Sequence, residues 1–262
     1  MKKISIVFLV FLFNACNTIE NNVEDNRKDD IIDSLKSVIE SKKSEMKWLK
    51  RNNPGVIIVN QEASTCAINL FLPVGLNIEI FDKKPAFNET NFFCVAGAYT
   101  STSGTIDGLF INKGEIIQTK YNNALTGVCI LKKDSLIIEN SNTINDDLIK
   151  KVISEKSSLF QQTLLIKNGA LVDCNLFGNA INLRRALIKF NDGTYLVGES
   201  HRVMTINEFQ KALKEIGAMD AVNLDMGSWS EGWHKINNEK ITIGENFTNT
   251  HKQTNWIVYN LK

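Results

Sequence analysis

A chain of 262 residues, 43% of them hydrophobic, is long enough to bury one large core or two small ones. Lysine and arginine number 30 against 29 aspartates and glutamates, and the formal net charge of +1 gives no electrostatic case for a nucleic-acid or strongly acidic partner. Three prolines and no low-complexity tract argue against long disorder, and no repeat recurs at a period of about 20–50 residues, which excludes solenoids and propellers.

The chain opens on Lys2 and Lys3, then the apolar run ISIVFLVFLF at 4–13, which is too short to span a bilayer. This is the pattern of a secretory signal. Its end, FNAC at 13–16, resembles a bacterial lipobox, in which Cys16 becomes the lipidated N-terminus. The expected mature protein is a lipoprotein of the cell envelope, held by its acyl chains to a membrane that it does not cross. NTIENNVEDNRKDD at 17–30 is polar enough to be a solvated tether. Ile32, Leu35, Ile39, Met46 and Leu49 then recur at helical spacing, so an amphipathic helix is predicted before NNPG at 52–55. The predicted organisation is a signal peptide at 1–16, tether and helix at 17–53, and one domain at 54–262.

From Val56 the chain reads mostly as strands: VIIVN, CAINLFL, LNIEIF, FFCVAG, GVCILK, SLIIE and TLLIKN are short, β-branched or aromatic, and bounded by turn residues. DDLIKKVISE at 146–155 predicts one helix. A clearer one starts at Thr205, where TINE forms a capping box with Glu208. Ile206, Phe209, Leu213 and Ile216 make its apolar stripe and Gly217 closes it. Long hairpin-like runs with few helices predict an α+β fold with mixed, largely antiparallel sheets and a few packing helices, preceded by the N-terminal helix.

Cys66, Cys94 and Cys129 sit in apolar strand-like runs, which favours free buried thiols over disulfides with one another or with Cys174. The three histidines, 201, 234 and 251, are scattered without ligand spacing to a cysteine, so no metal site and no cofactor are expected. Ser200-His201 is no triad, because triad members meet in space, and GSWS lacks the flanking glycines of a nucleophile elbow. Arg184 and Arg185 open a strand before an NDG turn. Successive strand residues face opposite sides, so only one of the two can enter a given pocket, where its planar fork would suit a phosphate or carboxylate. Glu199 ends the next strand. AVNLDMGSWSEGW at 221–233 starts as a buried strand, then leaves it through Asp225 into small and aromatic residues that hardly suit regular structure.

The order of these pieces resembles the phosphodiester glycosidase family. In that family an Arg-Thr-Ala strand and an Asp-Gly turn precede a Thr-headed helix, and a Leu-Gly-x-x-Asp-Ala segment leads to Asn-Leu-Asp-Gly-Gly-Gly-Ser. Here Arg184 takes the arginine position, Thr205 heads the helix, and Asp220 through Asp225 match nearly residue for residue. Upstream, FFCVAGAYTSTSGTIDGLFINKGEI resembles the family's Asn-Gly-Gly-Phe-Phe strand and following hairpin, with Gly108, Leu109 and Gly114 in register. The similarity spans roughly 90–262. It departs at Ala96, Ile188, Met226 and Trp229, where the family keeps asparagine or glycine.

The resemblance implies cleavage of a sugar from the phosphate of a sugar-1-phosphodiester. It makes Asp225 the catalytic nucleophile or base and Arg184 the phosphate grip, with Glu199 or Glu231 as a second carboxylate. Gly108, Thr205, Gly227 and Ser228 would contribute to substrate binding, and Tyr99, Trp229 or Trp233 would stack on the sugar ring. The implied partner is a glycan or sugar-phosphodiester ligand. The alternative is an envelope lipoprotein that binds a glycan or phosphate without turnover, for which the departures at Ala96 and Met226 are the motive.

Overall fold

The computed structural model describes residues 54–133, 135–174, 179–227 and 229–261, all within one compact unit. The predicted signal peptide with Cys16, the tether, the N-terminal helix and Ser228 lie outside the described residues.

Among the described residues three sheets build the domain, and every strand pairing in them is antiparallel. The seven-stranded first sheet runs, edge to edge, β1 (Gly55–Gln61), β2 (Ile68–Val74), β13 (Tyr195–Ser200), β12 (Arg185–Phe190), β14 (Ala218–Asn223), β10 (Leu164–Lys167) and β11 (Ala170–Leu171). The second holds β16 (Glu239–Ile243), β15 (Gly232–Ile236), β4 (Asn91–Ala96), β17 (Trp256–Leu261) and β3 (Leu76–Phe81). The third holds β6 (Glu115–Gln118), β5 (Phe110–Asn112), β9 (Ser158–Gln162), β7 (Gly127–Lys132) and β8 (Ser135–Asn140). Helix α1 (Asp146–Ser154) sets Val152 against the outer face of the third sheet. Helix α2 (Ile206–Glu215) covers the outer face of the first with Ile206, Phe209, Ala212 and Leu213.

The two-residue period of a strand sorts side chains between these layers. On β12, Leu187 enters the central core shared by the three sheets, whereas Ala186 and Ile188 pack under α2. On β17, Ile257 and Tyr259 face the central core while Trp256 and Val258 join Cys94 and Trp233 on the outer face of the second sheet. The mostly antiparallel α+β expectation for 54–262 therefore holds. The capping box also forms as read: Thr205 Oγ1 accepts from Glu208 N at 3.3 Å, and Thr205 N donates to Glu208 Oε2 at 2.8 Å. Gly217 follows the helix at φ +87°, a conformation that favours glycine. Cys66, Cys94 and Cys129 are free thiols and, like Cys174, are buried, and burial raises the thiol pKa of Cys94 and Cys129.

One expectation is corrected. The stretch after Asp225 does include regular structure, because Gly232 and Trp233 open β15. A Cβ at Gly232 would sit 2.6 Å from Val95 Cγ1 and 2.8 Å from Cys94 O, so only glycine lets β15 approach β4 so closely. The hairpin to β16 turns on Asn237 and Asn238, with φ of 50° and 66°. This asparagine pair at positive φ is a turn signal that the sequence carried and the reading overlooked.

Candidate active site

The strands of the first two sheets bring one set of ends together. β4, β13 and β14 finish where β10, β12, β15 and β17 begin, as the pairings Ala186 to Asn223, Leu164 to Val222, Gly232 to Val95 and Trp256 to Ala96 require. The two sheets are joined there by the exit of β14, since Asp225 N donates to Gly97 O at 2.8 Å and Gln162 Nε2 adds a bond to the same carbonyl at 3.3 Å.

Asp225 is 5% exposed at this junction. Its Oδ2 accepts from Thr100 N at 3.0 Å and from Trp229 Nε1 at 3.2 Å. Burial pushes its pKa up to about 7, against the opposing pull of those donors. A carboxyl group with that pKa exchanges protons near neutral pH, which an exposed turn-capping aspartate does not do.

The backbone that presents Thr100 is fastened by Asn255, whose Oδ1 accepts from Ala98 N at 2.6 Å while its Nδ2 donates to Ala98 O at 2.9 Å. Thr100 Oγ1 donates to Gln253 Oε1 at 3.2 Å. Asn255 is fully buried. Replacing it with alanine leaves an amide and a carbonyl without these partners, and the expected loss is about 2–4 kcal/mol in urea denaturation, with the Thr100 contact to Asp225 loosened.

Ser230 fastens the other side. Its Oγ accepts from Glu245 N and Asn246 N, both at 2.8 Å, and its own amide donates to Asn246 O at 2.7 Å. Its carbonyl accepts from Arg185 Nη2 at 3.1 Å. Arg185 is fully buried, and its Nε and Nη2 both donate to Glu199 Oε2, the Nε at 2.8 Å. This pair faces the central core, on the same side of β12 as Leu187.

A protein-family model described as phosphodiester glycosidase matches residues 90–259. The chain belongs to the phosphodiester glycosidase family. Among solved structures it is similar to the catalytic domain of zebrafish N-acetylglucosamine-1-phosphodiester alpha-N-acetylglucosaminidase, auto-inhibited by its pro-peptide, with a TM-score of 0.53 and 13% identity over 80% of this chain and 83% of that one. It is also similar to a hypothetical protein from Synechocystis, with a TM-score of 0.52 and 12% identity over 79% of this chain and 62% of that one. At these identities the likeness is one of fold. No curated protein sequence matches the chain.

In this phosphodiester glycosidase domain, Asp225, Thr100, Trp229 and Tyr99 form one group. Tyr99 is half-buried, its hydroxyl accepts from Asn223 Nδ2 at 2.7 Å, and burial raises its pKa. The arginine pair divides as strand geometry demands. Arg184 turns toward the α2 side, where its Nε donates to Met204 O at 3.0 Å and its Nη2 to Ala180 O. Burial lowers its pKa. Glu199 is held by Arg185, and Glu231 by Lys84 at 2.9 Å. Burial would raise the Glu231 pKa, but bonds from Lys84 and Thr250 hold it below the usual carboxylate range.

The other predicted binding residues have local structural duties. Thr205 caps α2. A Cβ at Gly108, where φ is +90°, would meet Leu125 Cδ1 at 2.8 Å and Gln161 Cβ at 3.0 Å, so this glycine allows close packing. Trp233 is 1% exposed and packs with Cys94, Trp256 and Val258, with Phe87 edge-on at 5.3 Å, so neither face is open to stack on a sugar. Gly227, at φ +136°, lines a depression next to the Asp225 turn. Among the described residues no group of three or more His, Cys, Asp or Glu side chains is placed to hold a metal ion. Sequence reasoning missed Thr100, Asn255 and Ser230, and left open which of Arg184 and Arg185 would meet a carboxylate, because their partners are backbone groups or side chains distant in sequence.

Proposed function

We propose that this family member hydrolyses a sugar-1-phosphodiester, with Asp225 as the base. The observation that carries this reading is the Asp225 carboxyl group, buried where the strand ends converge, held by Thr100 N and Trp229 Nε1, and titrating near pH 7. Ionised Asp225 takes a proton from water, the water oxygen bonds to the anomeric carbon, and the C1–O bond to phosphate breaks. The phosphate monoester departs with the bond electrons. It is a good leaving group, which suits a site whose other carboxylates, Glu199 and Glu231, are tied to Arg185 and Lys84. The partner is then a glycan carrying a phosphodiester, with the half-buried Tyr99 ring beside the sugar.

The test is release of free sugar from a panel of sugar-1-phosphodiesters by the purified protein. Release abolished in Asp225→Ala, with folding retained, supports the reading, and no release across the panel overturns it. A second reading is favoured by Ala96 and Met226, which stand where the resembled family pattern has asparagine and glycine: the pocket binds such a ligand without turnover. Binding by calorimetry without product, unchanged in Asp225→Asn, would favour this second reading.

The site would work in the cell envelope. The LVFLFNAC sequence at 9–16 supports lipidation of Cys16 and attachment to a membrane through acyl chains. Metabolic labelling with a fatty-acid analogue is expected to mark the wild type and to fail in Cys16→Ser.

A further inference from the structure

Asn223 is the last residue of β14, two positions before Asp225, and it is 1% exposed. Val222 and Leu224 on either side of it face the central core, so its side chain turns to the opposite side of the strand. There its Nδ2 donates to the Tyr99 hydroxyl at 2.7 Å and to Leu224 O at 2.8 Å. Leu224 O belongs to the peptide that joins Leu224 to Asp225, so the amide lies against the backbone that presents the carboxyl group. That carbonyl can only accept, which fixes the amide with its nitrogen toward it. Oδ1 takes no part in either bond, and it is a buried oxygen with no hydrogen-bond partner among the described residues. Buried carbonyl oxygens in native proteins are met by a protein donor or by water, because a bare one has lost its hydration for nothing. Asp225 offers a second acceptor close by. Thr100 N and Trp229 Nε1 both act on its Oδ2, which leaves Oδ1 as its second oxygen. Burial, and with it the Asp225 charge, raises the Tyr99 pKa, so hydroxyl, amide and carboxyl group share one environment.

We propose that Asn223 holds the attacking water, its Oδ1 accepting one hydrogen of that water while Asp225 Oδ1 accepts the other. The proposal rests on the sugar-1-phosphodiester reading and adds a second residue to that reaction. A water with both hydrogens taken by acceptors is left with its lone pairs for the anomeric carbon. In the step, the hydrogen on Asp225 moves to the carboxylate and the water oxygen bonds to C1. The C1–O bond to phosphate breaks, and its electron pair leaves with the phosphate. The hydrogen on Asn223 stays on the new hydroxyl of the sugar. A carboxamide suits this post because it accepts without taking the proton, whereas a second carboxylate would place like charge beside Asp225. Tyr99, bonded to Nδ2, keeps the amide in place.

The first measurement is a crystal structure of the wild-type protein at a resolution that shows ordered water. A water within about 3.2 Å of both Asn223 Oδ1 and Asp225 Oδ1 is expected. No water bridging the two oxygens would overturn the proposal, and this measurement depends neither on activity nor on the folding of a variant. The second is sugar release with and without dilute methanol. Asn223→Leu is expected to lower kcat about a hundredfold with KM within about twofold of wild type. It should also raise the share of product captured as methyl glycoside, because water has lost its favoured position. Tyr99→Phe, which keeps Oδ1, should retain the wild-type methanol share. An unchanged kcat in Asn223→Leu, a fall carried by KM, or the same methanol share in both variants would overturn the proposal, since Asn223 would then serve only Tyr99 or the fold. If no substrate is turned over, the hydrolase reading falls by itself, and the water-binding pair stands or falls on the wild-type structure.

Discussion

Asp225→Asn is expected to lose sugar release by at least about a thousandfold and yet to unfold at higher urea than the wild type above pH 7. The two effects have one cause. The Asp225 pKa is raised from an ordinary aspartate value of 3.8 to about 7 by burial, so the folded state disfavours the ionised form. A carboxyl group shifted upward contributes stability that is fully present below about pH 4 and is lost as pH rises through about 7. At pH 8 the wild type must hold a buried anion, relieved only by Thr100 N and Trp229 Nε1. Asparagine keeps an oxygen for those donors and removes the charge, so the gain should be on the order of 2 kcal/mol or more at pH 8 and vanish by pH 4. Stability curves at the two pH values, together with an activity profile rising through an apparent pKa near 7, check both halves. A variant less stable than wild type at pH 8 would show that the charge is compensated, and Asp225 would then be a structural cap.

Glu199→Ala should cost about 3–5 kcal/mol, because it leaves the fully buried Arg185 guanidinium without its counter-charge. Nη1 of Arg185 already has no hydrogen-bond partner among the described residues, and the Ser230 carbonyl that accepts from Nη2 carries no counter-charge. Replacing both partners, as Arg185→Met with Glu199→Leu, should recover most of the loss, since similar volume then fills the site without charge. Urea midpoints of the two single variants and the double variant complete the cycle. Similar losses in all three would show that packing rather than charge dominates. The double variant should still lower activity, because Ser230 O loses the bond that ties the Asp225 loop to β12.

Much of the fold was legible because strand signals are local. Alternating or continuous apolar runs bounded by Asn, Gly and Asp give strands wherever a sheet can form, and TINE with Gly217 marks both ends of α2. The strand at 232–236 was not legible, since its first two residues, Gly232 and Trp233, look like a loop until the closeness of Val95 explains the glycine. Arg184 and Arg185 show the same boundary at a single site. Adjacent positions on β12 had to face opposite ways, and that much follows from the strand period. Which arginine meets Glu199 depends on the register of β12 against β13, where Arg185 lies opposite Glu199.

The sequence alone determined the strand-rich domain, the capped helix and the segment Asp220–Asp225 that carries the family pattern, because each rests on neighbours within a few residues. Only the tertiary structure decided that Asp225 is buried against Thr100 and Trp229, that Glu199 and Glu231 are held by cations, and that Trp233 is core. Those outcomes depend on contacts such as Asp225 to Thr100, 125 residues apart. Burial and pKa are properties of such long-range closures, and no local pattern records which strand ends will meet.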